Sequence, residues 1–510
     1  MFVNYTLVMQ EVGTVISTEE GPSSMEFNFV INENKGMLVR KGEFIQLVFD
    51  EGILVCRIEE ITKDNRYYSR PDSVAEYEKQ GNPLSEQFPV DRWEYVVARA
   101  ITLGVYKNGS HKRSTFPVSP GQKVFKADNK ILADFLGFDK NGLYIGNLEF
   151  HDIEARLNIS KLFQKHLAIL AMSGAGKSYT TSVLVEDLLD RTDSLGKPAI
   201  IIFDPHGEYV GFGNDQNYIT NTKVINAKDL AISVRNMSVN TFSELMPSIS
   251  GVQKRELNPV IGRLRASKRL YTIFDVVDEI EKSVTNQKTK ESLISWLHEL
   301  NYTGLFKQED NPRIEEMLKP GKLVIFDLSD INNLKEKQLI VTYFLRRIFN
   351  LRREKKIPPV VTIVEEAHQF APNSEEDSAI SRSVIETMAR EGRKFNACLV
   401  LISQRPKRLS TTALSQCNTN IILRITNPVD LQHIQDSTEG ITNDLMNMIP
   451  GLKVGEAVIA GEAVNHPILV RIRSRRSKNM ERNVSLEDEL KTFDDSKKIK
   501  DKDMEAFVSF

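Results

Sequence analysis

Cysteine is scarce in this chain, with Cys56, Cys398 and Cys417 the three among 510 residues. None has a paired or Cys-X-X-Cys spacing, which excludes a disulfide scaffold and a cysteine-rich zinc site and fits a reducing compartment. Long apolar runs are missing too, since no stretch approaches the roughly eighteen residues that a membrane span needs. The first residues lack the basic-then-apolar pattern of a signal peptide. We therefore expect a soluble, cytoplasmic protein without a membrane segment.

Charge of one sign is not in excess either. The chain has 67 Lys and Arg against 69 Asp and Glu, a net charge of −2. Any binding of nucleic acid must therefore come from local basic patches, because there is no global positive field. The apolar and charged fractions, 41% and 27%, are those of an ordinary globular protein, and the length suggests two to three domains.

The first part of the chain has the pattern of a small β-barrel. Short apolar strands with even spacing are separated by turn residues from about residue 13 to residue 103. A segment rich in Gly, Ser and Pro, 109–121, marks the boundary. We assign 1–115 to this barrel, as an assembly or partner domain.

From about residue 150, strands alternate with longer helical periods, which is typical of an α/β fold with a parallel sheet. The predicted strands are Leu167–Leu170, Ala199–Phe203, Leu323–Phe326, Val360–Val364, Ala397–Ile402 and Asn420–Ile425. We assign 116–475 to this α/β core, which carries an inserted helical lobe at about 236–319. The highly charged residues 476–510 are predicted to be a tail.

The most informative stretch is a predicted P-loop. An apolar strand, Leu167–Leu170, runs into a glycine loop in which Gly174 and Gly176 allow backbone N–H groups to surround phosphates. Lys177 can reach the β- and γ-phosphates, and Ser178 can ligate Mg²⁺. The predicted nucleotide-binding residues here are Ser173, Gly174, Ala175, Gly176, Lys177, Ser178 and Tyr179. The pattern predicts binding of a nucleoside triphosphate.

A P-loop enzyme also needs a carboxylate at the end of a neighbouring strand. Glu365 and Glu366 follow the apolar run Val360–Val364. We expect Glu365 to belong to the Mg²⁺ shell with Ser178, and Glu366 to orient and polarise the attacking water. A solvated pair of glutamates at a strand end is the alternative interpretation.

Two further strand ends carry carboxylates. Asp204 and Glu208 follow the predicted strand Ala199–Phe203, and because ligands bind at the carboxyl ends of strands in open α/β sheets, both are expected to line the nucleotide cleft. Asp327 is interpreted as a turn or helix cap. His206, between Pro and Gly, is expected to shape a turn rather than to act as a base or metal ligand.

Gln404 and Arg393 complete the predicted catalytic set. Gln404 leaves the strand Ala397–Ile402, where its neutral amide can sense the γ-phosphate or water, although a plain loop glutamine is the alternative. Gly392 is predicted to end a helix and to place Arg393 on a loop. A guanidinium there can stabilise charge on the transferred phosphoryl group, and a solvated arginine is equally compatible with the pattern.

The ordered motifs resemble the HerA family of hexameric DNA translocases, related to the FtsK motor. The resemblance is carried by residues 165–178, the Asp-Pro-His-Gly-Glu-Tyr string from Asp204, the Val-Glu-Glu-Ala-His string ending at His368, the Ala-Arg-Glu-Gly-Arg-Lys-Phe string from Ala389 and the Ser-Gln-Arg-Pro-Lys string from Ser403. It spans about 150–475 and includes the family plan of a small barrel before a RecA-like motor.

The resemblance implies roles at these positions. Lys177 and Ser178 bind phosphate and Mg²⁺, Glu365 and Glu366 serve metal and water, Gln404 is the sensor, and Arg393 is an arginine finger acting on the adjacent subunit. Lys165 is implied to lie near the nucleotide. The implied cofactors are ATP and Mg²⁺. The implied assembly is a homohexameric ring on double-stranded DNA with a nuclease partner such as NurA, or with a defence effector in some relatives.

Three functions are compatible with the sequence. The first is an ATP-driven DNA translocase or helicase that works with a nuclease in DNA end processing or anti-phage defence. The second is a nucleotide-switched scaffold ATPase that assembles with a nuclease or other effector. The third, a small-molecule kinase, rarely has a leading barrel. Candidate DNA-contacting residues are Arg405, Lys407 and Arg408, and the stretch 346–356 is interpreted as a solvated helix face.

Overall fold

The computed structural model describes residues 10–18, 21–32, 39–65, 68–79, 93–246, 248–267, 269–373, 379–438, 441–478 and 490. The strands are β1 (Glu11–Ile16), β2 (Glu26–Ile31), β3 (Phe44–Phe49), β4 (Gly52–Asn65), β5 (Glu94–Lys107), β6 (Ser110–Lys112), β7 (Lys123–Lys126), β8 (Leu143–Leu148), β9 (Glu154–Leu157), β10 (Leu167–Leu170), β11 (Ala199–Asp204), β12 (Thr222–Asn226), β13 (Ile232–Ser233), β14 (Phe306–Lys307), β15 (Leu323–Asp327), β16 (Val360–Val364), β17 (Ala397–Ser403), β18 (Thr419–Ile422), β19 (Glu456–Gly461) and β20 (Ile468–Ile472).

The α-helices are numbered in the same way. They are α1 (Pro71–Lys79), α2 (Asn129–Leu136), α3 (Ile159–Phe163), α4 (Lys177–Asp190), α5 (Val239–Leu245), α6 (Gly251–Ala266), α7 (Ile273–Ser283), α8 (Gln287–Tyr302), α9 (Ile314–Met317), α10 (Leu334–Arg353), α11 (Ala367–Phe370), α12 (Arg382–Glu391), α13 (Thr411–Leu414), α14 (Pro428–Ser437) and α15 (Asn443–Met448).

Strands β1 to β7 form an antiparallel barrel. Among the described residues their order is β2-β1-β7-β3-β4-β5-β6, and β2 also pairs with β5, which closes six strands and leaves β6 as a hairpin extension. Alternate apolar side chains such as Phe29, Leu47 and Leu54 fill the interior. The barrel predicted over 1–115 extends to Lys126, because β7 pairs with both β1 and β3.

The α/β domain that follows the barrel contains one large sheet. Its order across the described chain is β12-β15-β11-β16-β17-β10-β18-β19-β20-β8-β9. The strands from β12 to β18 in this order are parallel, whereas β19, β20, β8 and β9 pair in antiparallel fashion. The expectation of a parallel sheet therefore holds for the strands from β12 to β18 in this order, whereas the antiparallel strands β19, β20, β8 and β9 were not expected.

Helices cover both faces of this sheet, which explains the continuous apolar runs of its strands. In β11, Ile200 and Ile202 pack on the side of α4, whereas Ile201 and Phe203 pack on the side of α10 and the helical lobe. Because successive side chains point to opposite faces, every residue of such a strand is buried. The sheet is thus rigid, and its carboxyl edge carries the loops that follow β10, β11, β16 and β17.

The region predicted as a helical lobe contains α5 to α9, together with the short strand β14, which pairs with β13. Ser238 and Ser250 each accept a backbone N–H and so cap α5 and α6. Apolar residues of the lobe, among them Val260 and Ile280, join the same core as α10. The predicted tail 476–510 lies outside the described residues beyond Lys478, apart from Leu490.

Hydrogen bonds from backbone N–H groups to side chains join the barrel to the α/β domain. The Phe44 N–H donates to Nε2 of His151, in the turn between β8 and β9, at 3.1 Å. The Asp128 N–H donates to the Gln46 side chain at 3.0 Å. Of the helices that the structure describes, none is both long and apolar enough to cross a membrane.

Candidate nucleotide site

The P-loop lies where the sequence predicts it, between β10 and α4. Gly174 and Gly176 have φ values of +75° and +98°, a region that glycine adopts without a steric penalty. Space for a side chain is open at Gly174, where an added Cβ would meet no atom within 4 Å. Ser173 is exposed at the tip and Ala175 is buried beneath it. Helix α4 begins at Lys177, so its N-terminal dipole is directed at the loop.

Lys177 joins the P-loop to the two predicted carboxylates. Its Nζ lies 2.5 Å from Oε1 of Glu365 and 3.1 Å from Oε1 of Glu366. The three side chains are almost wholly buried. Burial alone would lower the pKa of Lys177, but the two carboxylates outweigh it and raise that pKa above its usual value. Lys177 is therefore a charged, desolvated ammonium group between two carboxylates.

The two glutamates differ in their surroundings. Burial raises the pKa of Glu365, and the ammonium of Lys177 opposes that shift. Glu366 has a left-handed backbone with φ of +51°, a strained conformation for a non-glycine residue that is characteristic of functional sites. Its Oε2 makes no hydrogen bond within the described chain and lies 3.2 Å from Nδ1 of His368. Glu366 thus keeps one acceptor oxygen available.

The structure brings Ser178 and Glu208 together, whereas Asp204 bonds to the backbone of its own turn. The Ser178 hydroxyl donates to the Glu208 carboxylate. The Asp204 carboxylate accepts the backbone N–H groups of the turn 206–209 and is fully buried. Burial raises its pKa to about 7, against the effect of these bonds. Both oxygens of Asp204 thus cap its own turn, and its role in the nucleotide cleft stays a prediction.

Two site residues were missed in the sequence analysis. The buried Tyr209 donates its hydroxyl to Oε2 of Glu365 at 2.6 Å. His368 lies between Glu366 and the Ser403 hydroxyl, whose Oγ is 3.2 Å from Nδ1, and burial lowers the pKa of this imidazole. The His368 signal was its position two residues after the glutamate pair. The only sequence signal for Tyr209 was its position at the end of the turn that begins at Asp204.

Gln404 lies at the carboxyl edge. Strand β17 lies between β16, which leads to the glutamates, and β10, which leads to the P-loop. Leu170 is level with Ser403, so Gln404 leaves the sheet at the height at which the P-loop begins. Its side chain is half-buried. Tyr179, which the sequence analysis placed among the nucleotide-binding residues, accepts a hydrogen bond from the Arg475 N–H at its hydroxyl, at 2.6 Å.

Arg393 lies at the opposite edge of the sheet. It belongs to the 3₁₀ turn Gly392–Phe395, which precedes the amino end of β17. Seven strand residues, about 20 Å of chain, separate that end from the P-loop level. Gly392 follows the last residue of α12 and keeps a helical backbone conformation, with φ of −57°. A glycine is needed there because an added Cβ would lie 2.4 Å from the Ala397 carbonyl oxygen. Arg393 is exposed and too distant for its own P-loop. Lys165, at the same edge, pairs with Glu462 at 2.7 Å.

The donor set fits a nucleoside triphosphate with Mg²⁺. Within the described chain, no hydrogen bond occupies the backbone N–H groups of Gly174, Gly176 and Lys177 at the start of α4. Such unpaired donors with a buried ammonium are the groups that bind phosphate oxygens. The Ser178 hydroxyl and the Glu365 carboxylate are hard oxygen ligands of the kind that Mg²⁺ prefers.

Several proteins with similar sequences are named as helicases. A family model described as the central domain of the helicase HerA matches residues 143–348, from β8 into α10. The probable helicase MJECL08 of Methanocaldococcus jannaschii is 31% identical over 513 residues, which cover 91% of this chain and 95% of that protein. The DNA double-strand break repair helicase HerA of Pyrococcus furiosus is 28% identical over 541 residues, which cover 91% and 92%.

The fold is also similar to that of a solved structure. VirB4 of Thermoanaerobacter pseudethanolicus superposes with a TM-score of 0.50 at 16% identity, covering 66% of this chain and 98% of that one. This likeness supports the mixed α/β architecture with a large, mostly parallel sheet. The family model and the near full-length similarity to the Methanocaldococcus protein show that this chain belongs to the HerA family of helicases.

Proposed function

We propose that this protein is an ATP-driven DNA translocase or helicase that hydrolyses ATP at the Lys177 site. The observation that carries the proposal is the convergence of the P-loop ammonium on two carboxylates, with Nζ–Oε1 distances of 2.5 and 3.1 Å. Relatives that match nearly the whole chain are named helicases, which supports the DNA substrate. ATP is the proposed nucleotide and Mg²⁺ the proposed metal.

The proposed roles follow from the surroundings of each side chain. Lys177 and the loop N–H groups bind the β- and γ-phosphate oxygens, and Ser178 with Glu365 holds Mg²⁺. The bound metal would supply charge neutralisation on the transferred phosphoryl group. Glu366 orients the attacking water and accepts its proton through the oxygen that carries no hydrogen bond. Gln404 reports the state of the γ-phosphate from the neighbouring strand.

We propose that Arg393 acts on the adjacent subunit. Arg393 is exposed and has no ion pair in the described residues. It lies at the amino edge of the sheet, whereas the P-loop of its own subunit lies at the carboxyl edge. A homohexameric ring would bring it to the next subunit's phosphates, where a guanidinium stabilises developing charge. The barrel, joined to the motor at Phe44 and His151, is proposed as the assembly domain.

The proposed macromolecular partners are double-stranded DNA and a nuclease. Arg405, Lys407 and Arg408 are exposed on the loop after Gln404, close to the ATP site, which makes them candidates for phosphate contacts in the ring pore. The printed name of the Pyrococcus relative refers to double-strand break repair. A NurA-like nuclease in DNA end processing is therefore the first candidate partner, and a defence effector is the second.

The test is ATP turnover with and without double-stranded DNA. We expect DNA to stimulate turnover several-fold and the effect to weaken steeply with salt, because phosphate contacts release counterions. The control is Glu366→Gln, which should bind ATP normally and slow turnover about a hundredfold or more with DNA present. Normal ATPase activity that DNA leaves unchanged at every salt concentration would favour the nucleotide-switched scaffold.

A further inference from the structure

Tyr209 contacts the Glu365 carboxylate through the oxygen that does not contact Lys177. Its hydroxyl donates to Oε2 of Glu365 at 2.6 Å, while Oε1 of the same carboxylate takes Nζ of Lys177 at 2.5 Å. The tyrosine is wholly buried, and burial together with Glu365 and Glu208 raises its pKa well above the usual value. It therefore remains a protonated donor, and each oxygen of Glu365 has one partner.

The position of Tyr209 is itself fixed by a turn. Oδ2 of Asp204 accepts the Tyr209 N–H at 2.8 Å, and Oδ1 accepts the N–H groups of His206, Gly207 and Glu208 at 3.3, 2.8 and 3.1 Å. Such multiple capping of one buried carboxylate makes the turn rigid. The same turn presents Glu208 to the Ser178 hydroxyl. One six-residue segment, 204–209, thus contacts both side chains assigned to Mg²⁺.

We propose that Tyr209 is a positioning residue for Mg²⁺ binding, which it supports by holding the Glu365 carboxylate through its hydroxyl. The proposal rests on the assignment of Glu365 to the metal in the proposed function. Hydrogen-bond partners behind a ligand restrict its orientation, and their loss typically lowers metal affinity about ten- to a hundredfold. Loss of the hydroxyl would leave Glu365 with an unbonded buried oxygen and freedom to rotate.

The experiment separates Mg²⁺-dependent from Mg²⁺-independent binding of the nucleotide. The affinity of full-length protein for a fluorescent ATP analogue is measured in EDTA and in excess Mg²⁺. For Tyr209→Phe we expect the affinity in EDTA to stay within about twofold of the parent, and the gain in affinity on adding Mg²⁺ to fall about tenfold or more. The matched control is Tyr218→Phe, whose buried hydroxyl lies on Asp190 at 3.2 Å, away from Glu365; it should leave both values unchanged.

A double-variant comparison keeps the test decisive if Tyr209→Phe alone folds poorly. In a Glu365→Gln background the buried charge is gone, and Tyr209→Phe should then change the Mg²⁺ gain by less than about twofold. A further loss in that background would overturn the proposal, as would an unchanged Mg²⁺ gain in Tyr209→Phe alone. Equal losses in EDTA and in Mg²⁺ would also overturn it. A parent protein that binds no nucleotide would instead refute the proposed function.

Discussion

The two edges of the nucleotide-binding strands are built differently. At the carboxyl edge, the functional side chains are buried and bonded to one another: Lys177 to Glu365 and Glu366, and Ser178 to Glu208. At the amino edge, Arg393 is exposed and makes no ion pair within the described residues. One edge is a self-contained cluster, and the other presents a cation outwards.

The amino edge is nevertheless rigid. His166 donates from Nε2 to the Ala389 carbonyl at 2.9 Å and accepts the Leu399 N–H at Nδ1 at 3.0 Å, which ties α12 to β10 and β17. Gly392 packs so closely that a Cβ would lie 3.2 Å from the His166 ring. An exposed arginine on such a closely packed turn fits the proposal that Arg393 acts outside its own subunit. The comparison therefore suggests that the target lies on another subunit.

Lys177→Ala should have the largest effect. Removing the ammonium takes away the charge on the β- and γ-phosphates and leaves Glu365 and Glu366 as uncompensated buried carboxylates. We expect loss of ATP turnover and of nucleotide affinity together, measured by phosphate release and by binding of a fluorescent analogue. Lys161→Ala, an exposed lysine in α3, is the control. Near-normal hydrolysis in Lys177→Ala would contradict the P-loop assignment.

Arg393→Ala should be almost as severe for turnover but harmless for binding. A guanidinium that stabilises the transition state typically contributes about a thousandfold or more to the rate. The ATP affinity should remain normal, because the side chain is remote from its own P-loop. The neighbouring exposed Lys394→Ala is the matched control and should retain turnover. A loss of affinity in Arg393→Ala equal to its loss of turnover would oppose the comparison between the edges.

Acid should weaken the amino edge through His166, the smallest effect expected. Burial lowers the pKa of His166 to about 4, partly opposed by its bond to Ala389. In the unfolded chain this histidine has an ordinary pKa near 6.5, so between about pH 6.5 and 4 the unfolded chain binds a proton that the folded chain does not bind. The free energy of unfolding should therefore fall as the pH drops from about 6.5 to 4.

The measurement is denaturant unfolding at several pH values. His166→Asn should reduce the pH slope in that window by up to about 1 kcal/mol per pH unit. Asparagine suits the site because it tolerates the left-handed backbone, here with φ of +64°. His298→Asn, at an exposed position, should keep the parental slope. An unchanged slope in His166→Asn would show that the imidazole does not carry the acid sensitivity.

The sequence was sufficient for features encoded locally. The P-loop, the strand Val360–Val364 and the glutamates after it were predictable, because strand periodicity and turn chemistry act over a few residues. Their mutual contact followed from the rule that carboxyl ends of parallel strands meet at one edge. The HerA resemblance, drawn from five ordered motifs, is confirmed by the comparisons.

Features that depend on distant pairing were not predictable. Tyr209 meets Glu365 across 156 positions, and β8 pairs with β20 at Leu148 and Val470. The Asp204 carboxylate caps its own turn, a contact that the sequence analysis did not include, although Asp before Pro-X-Gly is a sequence typical of such capping. Gly392 is required because its backbone packs closely against the Ala397 carbonyl, and no local sequence pattern encodes that contact.

The most direct test of a site shared between subunits is complementation in mixed rings. We expect Lys177→Ala and Arg393→Ala proteins each to be inactive in hydrolysis, whereas a mixed ring would contain interfaces where an intact P-loop faces an intact arginine. We predict that mixing, with mixed assembly verified by differently tagged subunits, restores part of the ATP turnover, measured as phosphate release. Absence of any recovery in verified mixed rings would contradict the account, because an arginine acting within its own subunit cannot be supplied by a neighbour.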